Sequence, residues 1–329
     1  MTFGELLLRL SPPSTELFFQ SSQLRWYFGG SEANVAASLA HFGAKSEYVT
    51  CLPDNAVGDA ALAALRAEGI DTSHIVRGGN RLGIYFVEAG ADVRQMRVVY
   101  DRAGSSFSEM PAHAIQWTDA IRGADRLHIS GITPALSDAA GECVAEAVAA
   151  ARAANVRISI DLNFRSVLWR GRSPLPLVRP LATQCDVIIG NQVAIGAMLG
   201  IGDGKPDNTA AASRTTAERV ADELGCATVA ITRRNLTSAT EHGWSADIYD
   251  SKTKAFYSSR QYQVVVVDRV GGGDAFAAGL IYSLAIGRSP AESIEFAAAA
   301  GALKLTIPGD FNRVSPEQVE TLLASSKDD

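Results

Sequence analysis

Cysteine is scarce in this sequence: Cys51, Cys143, Cys185 and Cys226 are scattered among 329 residues with no paired spacing. That pattern excludes a disulfide framework and a cysteine zinc site, and it predicts buried thiols in a reducing compartment. Positive charge is not in excess either. The formal net charge is -6, so no basic field attracts a phosphate backbone and nucleic-acid binding is not expected. An anionic small molecule remains compatible, because a few local arginines override so mild a balance. Long apolar runs are missing; even AESIEFAAAAGALKLTI (291–307) carries Glu292, Glu295 and Lys304, so no membrane span is expected. The opening MTFGELLLRLSPP holds Glu5 and Arg9 and meets Pro12 early, which reads as a strand and not as a secretory signal. A cytoplasmic protein is the expectation. His41, His74, His113, His128 and His242 have no ligand spacing, and Trp26, Trp117, Trp169 and Trp244 are too dispersed for a stacking platform. The tryptophans are read as packing residues.

What is present is alternation. RISIDL (157–162), DVIIGN (186–191) and ATVAIT (227–232) are short apolar runs bounded by polar residues, the pattern of buried parallel strands. Helical stretches such as AAGECVAEAVAAARAAN (139–155) and TTAERVADELG (215–225) lie between and beyond them. Strand and helix in turn predict an α/β body, a parallel sheet covered on both faces. Residues 13–30 and 76–104 break the rhythm with alternating, aromatic, turn-punctuated runs that read as antiparallel strands. They form either one small sheet over a cleft or two separate surface hairpins. The segment 202–214 (GDGKPDNTAAASR) is expected to be a mobile loop, and the terminal SSKDD a frayed tail.

Two segments carry chemistry. In VVVVDRVGGGDAFAAGLIYSLA (264–285) a predicted buried strand, 264–267, runs into Gly271, Gly272 and Gly273, then Asp274 and a helix. Glycines at a helix N-terminus let backbone N–H groups approach an anion closely. No Lys-Ser or Lys-Thr follows, so this is not the Walker arrangement. Asp274 is either an N-cap or a carboxylate that takes a hydroxyl proton while the glycine amides stabilise a phosphoryl group. In FGGSEANVAASLAHFG (28–43), Gly29 and Gly30 precede a helix with Asn34 one turn in. That is either a tight turn or a place where a sugar meets backbone and amide.

Taken together, Gly29-Gly30 to Asn34 and Asp268 to Asp274 resemble the two signatures of ribokinase-like (PfkB) sugar kinases. FGELLLRLSPP, YDRAGSS (100–106), DLNFRSVLW (161–169), GNQ (190–192) and ALKLTIPGDFN (302–312) are similar to the 2-keto-3-deoxygluconate kinase branch. The resemblance spans nearly the whole chain. It implies a single kinase domain over 1–329, with a Rossmann-type three-layer α/β/α body and a small β-sheet lid from about 13–30 and 76–104. It also implies ATP as phosphoryl donor, with Mg²⁺ bridging its phosphates.

Residue by residue, it implies Asp274 as general base and Gly271, Gly272 and Gly273 as anion hole. Gly30, Asn34, Tyr85, Tyr100, Arg102 and Arg165 are implied around the sugar acid, with Asp310 touching it as well. An arginine pair suits a carboxylate, which it holds with parallel N–H bonds. Arg165 faces either that carboxylate or the ATP phosphates. Asn191, Thr232 and one of Arg233 and Arg234, the latter preferred, are implied around the nucleotide, together with Gly271 and Gly273. No metal ligand is assigned.

The chain departs from the family pattern in two places. An Asn-x-x-Glu motif linked to the metal would begin at Asn191, but its fourth position is Ala194. Arg269 and Val270 stand where small polar residues are usual. Other readings are a kinase for a neutral ketose, pentose or nucleoside, and a sugar-binding relative with weak turnover. A nicotinamide oxidoreductase lacks its Gly-rich fingerprint here. Exposed lid strands make a homo-oligomer paired through the lid a further expectation.

Overall fold

Short β-branched runs with both faces apolar build the spine of the structure, a computed structural model that describes residues 1–325. All but the first residue of the SSKDD segment lies outside the described residues. Nine strands make the main sheet, in the order Ala255–Ser258, Glu241–Asp250, Thr228–Leu236, Val187–Gly190, Arg157–Asp161, Arg126–Ser130, Thr2–Phe3, Tyr48–Val49, with Tyr262–Val265 also paired to Glu241–Asp250. From Thr228–Leu236 through Tyr48–Val49 every pairing is parallel, and the strands beyond it are antiparallel. Val187–Gly190 is buried at every residue, as a strand covered by helices on both faces must be. The expected strands are therefore present, though the third continues four residues further, through Arg233 and Arg234.

Three sequence expectations change. The segment 264–267 is not a buried strand: the strand is Tyr262–Val265, and Val265 and Val267 are exposed. The helix expected from 215 begins five residues earlier, at Ala210, where the Thr209 hydroxyl accepts from the amide of Ala212. Its alanines have high helix propensity, which shortens the expected loop. Trp26 is exposed, unlike Trp117, Trp169 and Trp244.

The small sheet also differs in its make-up. Its order is Arg25–Gly29, Leu7–Ser11, Gly83–Glu88, Arg97–Asp101. The opening strand Leu7–Ser11 is central, paired antiparallel to Arg25–Gly29 and parallel to Gly83–Glu88. Residues 13–24 contain only turns and bends, and Val76–Arg77 pairs instead with Cys51–Leu52 in a separate ribbon. Leu7, Tyr85, Val87, Val98 and Tyr100 lie on the sheet face that roofs a cleft over the main sheet.

Buried charges join this sheet to the body. Arg9 Nη1 reaches Asp268 Oδ2 at 2.8 Å and Asp310 Oδ2 at 3.0 Å. Asp268 also accepts from the amides of Val270 at 3.1 Å and Gly309 at 2.9 Å. Lys304, fully buried, donates to the carbonyls of Val270 at 2.9 Å and Ile307 at 3.0 Å. Burial works against the Arg9 charge, but Asp310 and Asp268 outweigh it, and the guanidinium stays protonated. Two carboxylates thus satisfy Arg9 and two carbonyls receive Lys304, where a lone charge would be costly. The loop they hold is 268–271.

Candidate active site

Beneath the small sheet lies a cleft of about 720 Å³, within the size range of small-molecule sites. Its floor is the meeting point of two helices, Ser31–His41 and Gly272–Ala285, which pack against each other. Gly30, Asn34, Gly271, Gly273 and Asp274 line this part of the wall. Tyr85, Tyr100 and Arg102 come from the roof, while Arg165, Asn191, Thr232 and Arg234 come from the carboxyl ends of body strands and the segments after them. That is where ligands bind in open α/β sheets.

Asp274 does not cap its helix. The N-cap is Gly271, in the left-handed region at φ 83°, and a Cβ there would lie 2.4 Å from the carbonyl oxygen of Asp310. Asp274 sits in the first turn, and its carboxylate accepts from Asn34 Nδ2 at 2.7 Å and from Ser31 Oγ at 3.0 Å. Asn163, itself left-handed at φ 40°, donates to the same Ser31 hydroxyl at 2.8 Å. Burial lifts the Asp274 carboxyl above its usual range, while Asn34, Ser31, Arg165 and Lys304 hold part of that rise down. The first amide of the helix with a backbone partner is Ala275, which donates to Gly271. The earlier amides of the turn are left for an anion. A lifted carboxylate beside unpaired amides is suited to take a proton from an alcohol as that oxygen attacks an anionic group.

Several expected contacts take other positions. Gly272 is off the cleft wall; a Cβ there would lie 2.8 Å from Leu305, so it serves close packing. Asp310 is also off the wall and 2% exposed, because Arg9 and the Tyr85 hydroxyl hold it behind the cleft. Burial first of all raises its carboxyl, to about 6. Tyr85 therefore offers the cleft its ring, stacked on Tyr100 with centroids 6.0 Å apart, while its hydroxyl stays with Asp310. Asn34 lines the wall, yet its amide already serves Asp274 and accepts from Gly30 N at 3.3 Å. Gly30 itself is required by close approach, since a Cβ would lie 2.1 Å from the carbonyl oxygen of Glu5.

Arg102 is not a free cation. Its Nε donates to Glu5 Oε2 at 2.8 Å and its Nη2 to the same oxygen, with both side chains largely buried. Arg233 is likewise held by Asp247 at 2.7 Å. Arg165 is exposed in the cleft and has no acidic partner among the described residues. Asn191 caps the helix Gln192–Leu199, accepting from Ala194 N at 2.9 Å. Thr232 rests against the carbonyl of Gly190 at 3.4 Å.

Ser31, Asn163, Glu5, Arg9 and Arg269 were not marked by sequence spacing, and neither were two further carboxyls, Glu32 and Asp161. Asn163 lies inside the DLNFRSVLW run, and its residue type was the one signal available, since Asn tolerates the left-handed backbone it adopts. Burial foremost lifts Glu32 and Asp161 each to about 7, with Asp274 adding repulsion. Yet no group of three His, Cys, Asp or Glu side chains among the described residues is arranged to hold a metal ion.

Glu32 yields a stability prediction. Its Oε1 accepts from Ser130 Oγ at 2.6 Å and Thr133 Oγ1 at 3.1 Å, within a fully buried pocket. An ordinary glutamate titrates at ~4.3. Between there and about 7 the folded chain keeps a proton that the unfolded chain releases, so stability falls as pH rises through that window. Glu32→Gln keeps an acceptor and removes the charge. Its thermal midpoint is expected to exceed that of the wild type by about 2 °C or more at pH 8, with the gap closing toward pH 5. A gap independent of pH, followed by calorimetry, contradicts this account.

Comparison with known proteins agrees with this geometry. The family model described as "pfkB family carbohydrate kinase" matches residues 1–317. A 2-dehydro-3-deoxygalactonokinase of Haloferax volcanii is 29% identical over 323 residues, covering 98% of this chain and 96% of that protein. The crystal structure of a 2-dehydro-3-deoxygluconokinase from Thermotoga maritima superposes with a TM-score of 0.95 at 42% identity, covering 98% of this chain and 97% of the other. A fructokinase from Xylella fastidiosa, solved with bound ATP, shares the fold at a TM-score of 0.77 and 22% identity, covering 99% and 98%. With the two signatures joined at Asp274 and the family model spanning nearly all of its length, this chain belongs to the pfkB family of carbohydrate kinases.

Proposed function

We propose that this kinase transfers the γ-phosphoryl group of ATP to a primary hydroxyl of a six-carbon keto-deoxy sugar acid of the 2-dehydro-3-deoxygluconate class. The carrying observation is the Asp274 carboxylate, fixed by Asn34 and Ser31 at the open amide end of its helix. The names of the Haloferax and Thermotoga relatives support the substrate class. In this reading Asp274 takes the hydroxyl proton, and the amides at Gly271 and Gly273 receive the phosphoryl oxygens. Tyr100 and the unbonded Nη1 of Arg102 meet the sugar from the roof. Arg165, the uncompensated cation acting on Asp274, receives the carboxylate of the acid. The roof keeps out water, which competes with the sugar as acceptor.

When bound to the phosphates of ATP, Mg²⁺ would neutralise charge there, as magnesium commonly binds through nucleotide oxygens with few protein ligands. The residues present do not form a cage of their own for it. The chemistry assigned to this chain is therefore that of its side chains and amides.

One observation favours a neutral sugar as a second reading: Glu5 already offsets the Arg102 charge. A coupled ADP-release assay separates the two. The keto-deoxy acids are expected to be turned over well ahead of fructose and ribose. Arg165→Met should raise KM for the acids about tenfold or more, the worth of a charge-assisted pair, and leave neutral sugars little changed. Equal turnover of acids and neutral sugars contradicts the acid assignment. Sugar binding without ADP release contradicts the kinase reading itself.

We further infer that two copies pair through the small sheet. Its outer face carries Leu8, Leu10, Ile84 and Phe86 with the exposed Trp26 and Val99, and Arg97–Asp101 is an edge strand. In that strand Arg97 and Asp101 lie two residues either side of Val99. A two-fold antiparallel pairing centred on Val99 would set each Arg97 opposite the Asp101 of the second copy. Sedimentation is expected to give a particle of twice 34.8 kDa, reduced to one chain by Val99→Lys with Trp26→Lys. A wild-type monomer at micromolar concentration contradicts the pairing.

A further inference from the structure

Three of the arginines that line the cleft form no ion pair among the described residues. Arg165, Arg234 and Arg269 all line it, and none has an acidic partner among the described residues. Other arginines nearby are treated differently: Arg9, Arg102 and Arg233 are each paired with buried carboxylates. Arg234 lies over the ring of buried Trp244, 5.2 Å from its centroid, and its Nε is buried with no acceptor. Burial foremost, then Arg269 and Arg165, lowers the Arg234 guanidinium to about 9, and Arg165 adds to the effect of burial on Arg269. Arg234 and Arg269, like charges kept together without an ion pair in a half-buried wall, suit an anion of high charge as partner.

The three act on one another. Arg165 is the guanidinium that acts on Asp274, Arg269 acts on Arg234, and Arg165 acts on both of the others. Arg269 also has a fixed root. Asp268 before it is held by Arg9 and Gly309, and the carbonyl of Val270 after it is held by Lys304. A side chain rooted on so constrained a backbone has less freedom to lose on binding.

Resting on the reading of ATP as donor, we propose that Arg269 and Arg234 form a clamp for the donor's phosphates. Through two guanidinium forks the clamp adds positive charge at the phosphates, in a chain whose Asn191 motif ends in Ala194 and not in a carboxylate. Arg269 thereby turns a departure from the family pattern into a binding residue. The forks suit phosphate oxygens, which accept two parallel N–H bonds.

Nucleotide binding tests this independently of the sugar. ATP, ADP, AMP and adenosine are titrated calorimetrically, with magnesium present, into wild type, Arg269→Gln, Arg269→Lys and Arg234→Gln, each checked for an unchanged melting profile. Arg269→Gln is expected to weaken ATP about tenfold or more and AMP less than about threefold, with Arg269→Lys between it and wild type. KM for the sugar should stay within about twofold. ATP affinity unchanged in both glutamine variants overturns the clamp, as does a loss shared equally by adenosine. A rise confined to the sugar KM overturns it too, by assigning Arg269 to the acceptor. If wild type itself binds no ATP, the donor reading fails, an outcome distinct from variants that match a binding wild type.

Discussion

One hydrogen-bonded carboxylate organises this protein. Asn34 and Asp274 are 240 positions apart, yet the amide of the first donates to the second at 2.7 Å. Ser31, itself held by Asn163 from a third segment, supplies the other bond. A buried carboxylate with two donors stays in one rotamer, and a proton acceptor is useful only where its oxygen is already in place. The same bonds keep it from rising as far toward protonation as burial alone would take it. The floor of the cleft thus couples geometry and acidity in a single contact.

That contact depends on the loop before it. Gly271 must adopt a left-handed backbone against the carbonyl of Asp310, which no side chain would allow. Asp268, Arg9 and Lys304 fasten the loop from three directions. Because Arg9 belongs to an inner strand of the small sheet, the roof and the glycine turn share one ionic cluster. Movement of the roof would therefore be felt at the amides of the turn. Asp310 acts inside this cluster, holding Arg9 and Tyr85.

Much of this was legible from residue order. Buried strands announce themselves by apolar runs, so Arg157–Asp161 and Val187–Gly190 stand where expected. Three glycines before Asp274 marked the turn, because that local arrangement has few other uses. Pairings across long separations were not legible. Arg9 meets Asp310 across 301 positions and Arg102 meets Glu5 across 97, and neither leaves a periodic trace. An arginine read alone is a free cation; only folding shows whether a carboxylate has reached it first. The same limit applied to Asn34, whose amide fits a sugar or a carboxylate equally well on paper, and to Gly272, whose neighbour Leu305 decides its role.

The central claim is that Asp274 removes the proton of the attacking alcohol, and single-turnover ADP release from Asp274→Asn measures it most directly. The amide preserves shape and the bond from Asn34 while losing the base. The phosphoryl-transfer rate is expected to fall by about 10²–10⁴, the usual worth of a positioned base, with ATP affinity within about threefold of wild type. A variant that phosphorylates the sugar at the wild-type rate would contradict the account.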